Sequence, residues 1–381
     1  VSIDRIRADV AAAPLVDHHV HGAWAAAPRR ADFELMLTES DQAGPPATTT
    51  FDSQVGFAVR RWCAPVLDLE PHASAEAYLA RRDELGNDEV NGRFLQQSGI
   101  AHYLLETGFR GDQIHGVHGM ATSSRARVDE VVRLEPLAEQ LAASGVGAAE
   151  FPAAFAALLD ERTRDAVGLK TIVAYRYGLD FDSAPPTHRE IVDAAGRWLA
   201  EIGDGEPRVT DPVLLRALIW AGVERGLPLQ FHVGYGDPDL DLQRCDPLRL
   251  TGFLKRVDST GVPIMLLHTY PFHRNAGYLA QMFPNVYMDV GLGVNYTGAR
   301  SRAVVAESLE LAPFSKVLFS TDAWGMPELH YLGATLWRSG MVASLASFLE
   351  AGEWSAADAA RVVRLIAHEN AQRVYRLEET A

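Results

Sequence analysis

Cysteine is nearly absent from this chain. Cys63 and Cys245 are the only two in 381 residues, too few for a disulfide framework and not spaced as a metal-binding pair. Their scarcity implies a reducing, cytoplasmic setting. No apolar run approaches the ~20 residues of a membrane span, and no signal-peptide pattern opens the sequence. The chain starts at Val1 rather than Met, which leaves a trimmed leader open. Positive charge is also in deficit: 35 Lys and Arg face 50 Asp and Glu, a net charge of −15. That argues against nucleic acid or an anionic membrane surface as the main partner. A small anionic substrate is still allowed, because a metal and a few local cations override a distant field. Internal repeats and low-complexity tracts are missing too.

What is present is the composition of a globular protein, 48% hydrophobic and 22% charged. The first 13 residues read as a short amphipathic helix ending at Pro14. Residues 24–97 show no clear strands. They carry helical periodicity in Phe33–Leu37, Gln54–Val66 and Ala73–Leu85, and we expect a helical insertion rather than a linker between independent domains. Beyond them, short apolar runs recur at Ile100–Leu105, Val131–Leu134, Val167–Ala174, Leu227–Val233, Val262–Leu267, Val286–Val290 and Val317–Phe319. Helical stretches lie between them, and Leu332–Leu349 and Ala357–Leu377 follow as closing helices. With Leu15–Val20 added, eight strands alternate with helices. Continuous rather than alternating hydrophobicity suits parallel strands buried on both faces. The expected fold is α/β: one (β/α)8 TIM-type barrel over residues 1–381, with a helical insertion after the first strand and extra C-terminal helices. An open doubly wound sheet is the alternative.

A barrel of this kind binds its substrate at the C-terminal mouth of the strands. In Asp17-His18-His19-Val20-His21, alternation puts His19 and His21 on one face with Asp17, and His18 on the other. The second run ends in Glu106, the third carries Arg133 and Glu135, and the fourth holds Lys170, then Tyr175 and Arg176. The fifth and sixth end in His232 and His268, the seventh in Asp289, and the eighth in Asp322. Histidines ending three separate strands, with an aspartate ending the last, are what a divalent site at a barrel mouth requires.

Those residues resemble the amidohydrolase superfamily: HxH on the first strand, lysine on the fourth, histidines after the fifth and sixth, aspartate after the eighth. The chain is most similar to its amidohydrolase-related branch, and there to the domain fused to or encoded beside a glutamine-synthetase-like domain in nodulin- and FluG-type proteins. The segments that carry this likeness are Gly168–Arg176, Pro228–Leu242, His268–Arg274 with Gly277-Tyr278-Leu279, and Phe319–Asp322 with Pro327-Glu328. No synthetase-like domain follows, which implies a free-standing form.

The resemblance implies a divalent cofactor held by His19, His21, His232 and Asp322. Three nitrogens, one oxygen and an open position suit Zn²⁺, with Mn²⁺ or Fe²⁺ as alternatives. Asp322 would also take the proton of the attacking water. His268 would either hold a second metal or polarise the substrate carbonyl. Lys170 would either carry a carbamate bridging two metals or remain an ammonium; pairing with Asp289 or Glu135 is the structural alternative. Asp322, His268 and Lys170 are the catalytic candidates, with one ion favoured.

Tyr175 and Arg176 are read as a carboxylate clamp and Asp237 as facing a substrate amine. Tyr270, Arg274, Trp324 and Glu328 are candidate pocket walls. The run Asp237, Asp239, Asp241 lacks the glycine and terminal glutamate of a calcium loop. His115 and His118, in the glycine-containing stretch Gly111–Gly119, are expected in a loop over the site.

The implied activity is hydrolysis of a C–N bond, amide-type and of γ-glutamyl character, in a small polar carboxylate-bearing substrate. The alternatives are a metal-dependent decarboxylase acting on an unsaturated or aromatic acid, a lactonase, and a non-catalytic binding module. A homo-oligomer and a functional link to a glutamine-synthetase-like protein in nitrogen metabolism complete the expectations.

Overall fold

The fold is seen in a computed structural model that describes residues 3–203 and 205–377. Seven parallel strands form one sheet whose spatial order follows the sequence: β1 Leu15–Val20, β2 Ile100–Glu106, β3 Arg127–Arg133, β4 Gly168–Thr171, β5 Leu229–His232, β6 Ile264–Leu267 and β7 Val286–Met288. Helices connect them, as parallel pairing requires. The curled sheet is consistent with a TIM-type α/β fold. Apart from β3, which is half-buried at Arg127, Asp129, Glu130 and Arg133, the strands are buried along almost their whole length. Connecting helices carry the expected start and stop signals. Thr187 and Glu190 form a reciprocal capping box ahead of His188–Ile202. Asp211 caps Pro212–Arg225, which ends on Gly226 at φ 75°.

The eighth apolar run departs from expectation. Val317 makes a single bridge to Met288, and the amide of Leu318 donates to Met288 O. On its other side, His18 N donates to Phe319 O, and His21 N to Ala323 O. The segment thus lies between β7 and β1 without forming a regular ladder. Phe319 N turns aside to Ile366 O, and Asp322 adopts φ 51°, so the extended geometry ends after a few residues.

Two apolar clusters stand apart. The larger one packs the helices on the sheet. The smaller gathers Val16, Leu104, Val131, Met265, Leu267 and Leu318 with Val374 and Tyr375 from the last helix, Asn370–Tyr375. That helix covers the strand starts: a Cβ on Gly168, the first residue of β4, would meet the Tyr375 ring at 3.0 Å. The opposite ends of the strands carry the polar residues.

Between β1 and β2 the chain forms helices at Arg30–Leu35, Gln54–Ala58, Ala75–Leu85 and Asn87–Gln97. Gln54–Val66, expected as one helix, continues past Ala58 as a π-helical turn and then a 3₁₀ turn. A buried ion pair ties Ala75–Leu85 to the long helix Pro327–Glu350: Arg82 Nε donates to Glu328 Oε1 at 2.5 Å, and Tyr78 donates to the same oxygen at 2.9 Å. Glu328 is therefore an internal anchor rather than the expected pocket wall. No helix among the described residues is long and apolar enough to cross a membrane.

Candidate metal centre and its cavity

His19, His21 and Asp322 bring one ligand atom each to within 4.8 Å of one another at the C-terminal ends of the strands. His19 Nε2 lies 2.9 Å from Asp322 Oδ1, and His21 Nε2 lies 3.7 Å from the same oxygen. A β-bulge sets this up. Asp17 pairs with Tyr103 and Val20 with Leu105, so three steps along β1 match two along β2. Alternation therefore slips, and the expected faces are corrected. His18 points inward to Tyr375 OH (3.0 Å) and Asp289 (2.9 Å), whereas Asp17 bonds the amide and hydroxyl of Thr321 (3.0 and 2.6 Å).

His232 is not part of the three-residue group. Its ring packs between Tyr175 and His268, with centroids 4.3 Å away in each case, and its Nε2 is buried without a hydrogen-bond partner. The Nδ1 of His268 donates to Val233 O at 2.9 Å, which leaves Nε2 bare and 3.6 Å from Asp322 Oδ2. Lys170 pairs with neither Asp289 nor Glu135. Its Nζ sits 3.1 Å from His19 Nε2. Glu135 is occupied by Thr171 Oγ1 and Ile172 N, and Asp289 accepts from His18, His268 N, Gly291 N and Ser320. Asp289 is therefore a brace beneath the centre.

The electrostatics prepare these side chains as donors. Burial drives His19 down to about 3 and holds His21, His232 and His268 below the usual imidazole value, so the rings are neutral near pH 7. Burial alone would raise Asp322, but the surrounding histidines outweigh it and keep the carboxyl ionised. Burial lowers Lys170 to about 8. Neutral imidazoles beside one carboxylate, with His232 Nε2 unpartnered, fit a divalent ion.

The centre opens into a cavity of about 890 Å³. Tyr175, Arg176, Asp237 and Trp324 line it, and β4 ending at Thr171 explains the first two: a short helix, Val173–Arg176, turns them onto the rim. Arg274 is on the outer surface, bound to Glu310 at 2.8 Å, and is not part of the lining. Tyr270 stacks on His273 outside the lining. His115 and His118 are not in the lining; Asp112 and Gln113 of the Gly111–Gly119 stretch are, together with residues 108–110 ahead of it.

Three residues with no role assigned from sequence enter the site. Glu106 lies 3.3 Å from His21 Nδ1 and pairs with Arg133, which lines the cavity. Glu39 enters from the loop between helices 30–35 and 54–58. Glu106 and Arg133 were legible as strand-end charges. Glu39 carried no local signal.

A sequence family described as amidohydrolase matches residues 110–377. Protein fluG of Emericella nidulans is 26% identical over 404 residues, covering 96% of this chain and 46% of that protein. The chain thus spans about half the length of the curated relative it matches. A crystal structure of a candidate metal-dependent hydrolase from Lactobacillus casei ATCC 334 superposes with a TM-score of 0.85 at 30% identity, covering 97% of both chains. A uronate isomerase of Bacillus halodurans C-125 (TM-score 0.62, 13% identity, 99% and 96% covered) shares the fold.

Proposed function

The chain belongs to the amidohydrolase family, and from that premise we propose that it hydrolyses a C–N bond, amide-type and of γ-glutamyl character, in a small carboxylate-bearing substrate. The observation that carries this reading is the convergence of His19, His21 and Asp322 at the cavity floor, within 4.8 Å of one another. We assign His232 as the fourth ligand, on the strength of its unpartnered Nε2, and read the centre as holding one ion, Zn²⁺ first, with Lys170 an unmodified amine. A divalent ion there supplies a Lewis acid and acidifies water from ~15.7 towards about 7.

The remaining work falls to the chain. Asp322, ionised and next to the ligand cluster, accepts the proton of the attacking water and returns it to the amide nitrogen. One C–O bond forms, one C–N bond breaks, and a carboxylate and an amine leave. Lys170 is placed to offset negative charge developing on the scissile carbonyl oxygen, and His268, neutral and with its bare Nε2 turned to Asp322, lines the cavity beside it. Arg176 receives a substrate carboxylate. The helical segment 24–97 is an insertion that walls the cavity through Glu39.

The test is a panel of γ-glutamyl amides, N-acyl amino acids, lactones and aromatic acids, assayed before and after chelation. Amine release that stops on chelation and returns with Zn²⁺ or Mn²⁺ is expected, at one ion per chain. Full activity after complete metal removal, or CO₂ in place of an amine, overturns it.

A further inference from the structure

The cavity lining holds two guanidiniums with open donors and two carboxylates that form no ion pair. On the β3–β4 side are Arg133 and Arg176. Each is held at one end by a carboxylate of its own wall: Arg133 by Glu106, and Arg176 by Glu139, Nη2 to Oε1 at 2.9 Å. Each keeps N–H groups with no partner. Nε of Arg133 and both Nε and Nη1 of Arg176 are buried and unbonded, although the Arg176 side chain is only 9% exposed. A guanidinium carrying two orphaned donors in a cavity wall points to an anionic ligand, because buried donors left unmade are costly.

Glu39 and Asp237 line the same cavity. Among the described residues, no Lys or Arg forms an ion pair with either. Glu39 instead has Asp322, Asp237 and the phenol of Tyr296 as its electrostatic neighbours, and the phenols of Tyr175 and Tyr235 sense its charge in turn. The guanidinium of Arg208, itself paired with Asp239 at 2.9 Å, is the cation nearest in effect to Asp237, and Glu39, bordered by aromatic rings, has no such neighbour; that is the environment an ammonium group satisfies.

We propose that the cavity is built for a substrate bearing both charges, its carboxylate received by Arg176 and Arg133 and its ammonium by Glu39 and Asp237. This rests on the hydrolase reading and assigns the residues that would select the amino-acid head of a γ-glutamyl amide. Such a head satisfies both sets of groups within the cavity that also holds the metal-binding cluster. Substrates with a carboxylate alone leave Glu39 and Asp237 uncompensated, and substrates with an amine alone leave the guanidiniums uncompensated.

Three matched probes separate the charges: γ-glutamyl ethylamide, glutaryl ethylamide, which lacks the amine, and γ-aminobutyryl ethylamide, which lacks the carboxylate. On the metal-loaded protein, γ-glutamyl ethylamide should bind about tenfold or more tighter than either analogue. It is read as a dissociation constant, or as kcat/KM where ethylamine is released. Glu39→Gln should erase the preference over glutaryl ethylamide and keep the preference over γ-aminobutyryl ethylamide; Arg176→Met should do the reverse. Equal binding of the three probes to the unaltered protein overturns the proposal without any variant. So does a uniform loss across all three in both variants. Ethylamine release keeps the two ideas apart. A charge preference without release removes the hydrolase reading alone, and release without a charge preference removes this inference alone.

Discussion

Asp322 and His268 hold φ of 51° and 39°, a region that costs a side-chain-bearing residue about 1–3 kcal/mol. Backbone bonds hold them there: Asp322 N donates to His19 O, and His268 N to Asp289 Oδ1. The strain falls on residues whose direction matters for the centre, as pre-organisation predicts. Glu39 makes a different argument. Burial first, then Asp322 and Asp237, raise its carboxyl from 4.5 to about 7. A carboxyl raised on folding binds its proton more tightly in the folded state. Its contribution to stability is therefore complete below about pH 4.5 and is lost as pH climbs through 7. In chelator-treated protein, Glu39→Gln should remove that loss, raising the unfolding free energy at pH 8 relative to the unaltered protein by on the order of 1–3 kcal/mol, and the melting temperature with it, with little difference at pH 4.5. Parallel melting curves across that range that never diverge would refute a buried, cation-free Glu39. His19, His21 and Asp322 could be read from sequence because apolar runs announce where strands end. Glu39 could not, because it belongs to a loop whose path depends on tertiary packing.

At the scale of elements, strict alternation was the assumption that failed. One extra residue in β1 turned both His18 and His19 inward, and only pairing with β2 reveals it. The strand-helix rhythm was otherwise legible, since seven apolar runs became the seven strands in sequential order. The eighth run was misjudged because its amides serve Met288 and Ile366 rather than a ladder. Glu328 was misplaced for a related reason: its proximity to Asp322 in sequence suggested the pocket, but the helix starting at Pro327 turns it into the interior, where Arg82 waits. Both side chains are nearly inaccessible, at 4% and 0% exposure. Removing one partner leaves an unpaired buried charge, so Arg82→Ala should destabilise by about 3–5 kcal/mol in chemical denaturation. Adding Glu328→Gln should recover part of that loss. If Arg82→Ala costs less than about 1 kcal/mol, the pair is not the anchor between helices 75–85 and 327–350.

Across the whole molecule, the ligands of the three-residue group come from far apart: His19 and His21 at the end of the first strand and Asp322 in the segment that follows the seventh. A net charge of −15 already opposes compaction, and the centre adds an ionised Asp322 beside buried dipoles. The chain has just three lysines against its many arginines, and one of them, Lys170, lies in this centre as the nearest fixed cation to His19. An ion bound by His19, His21 and Asp322 would join β1 to the segment between it and β7, and it would bind the folded chain only. Stability should then rise with free metal as mass action requires, by about 2.7 kcal/mol at a hundredfold excess over the dissociation constant. Thermal melts in a Zn²⁺ or Mn²⁺ series should show a saturating increase of a few degrees in the unaltered protein. Asp322→Asn should abolish the increase, because the oxygen shared by both histidines loses its charge. Arg274→Ala, which breaks only surface pairs with Glu307 and Glu310, should retain it in full. An increase that survives in Asp322→Asn would place the ion elsewhere on an acidic surface and dissolve the centre described above.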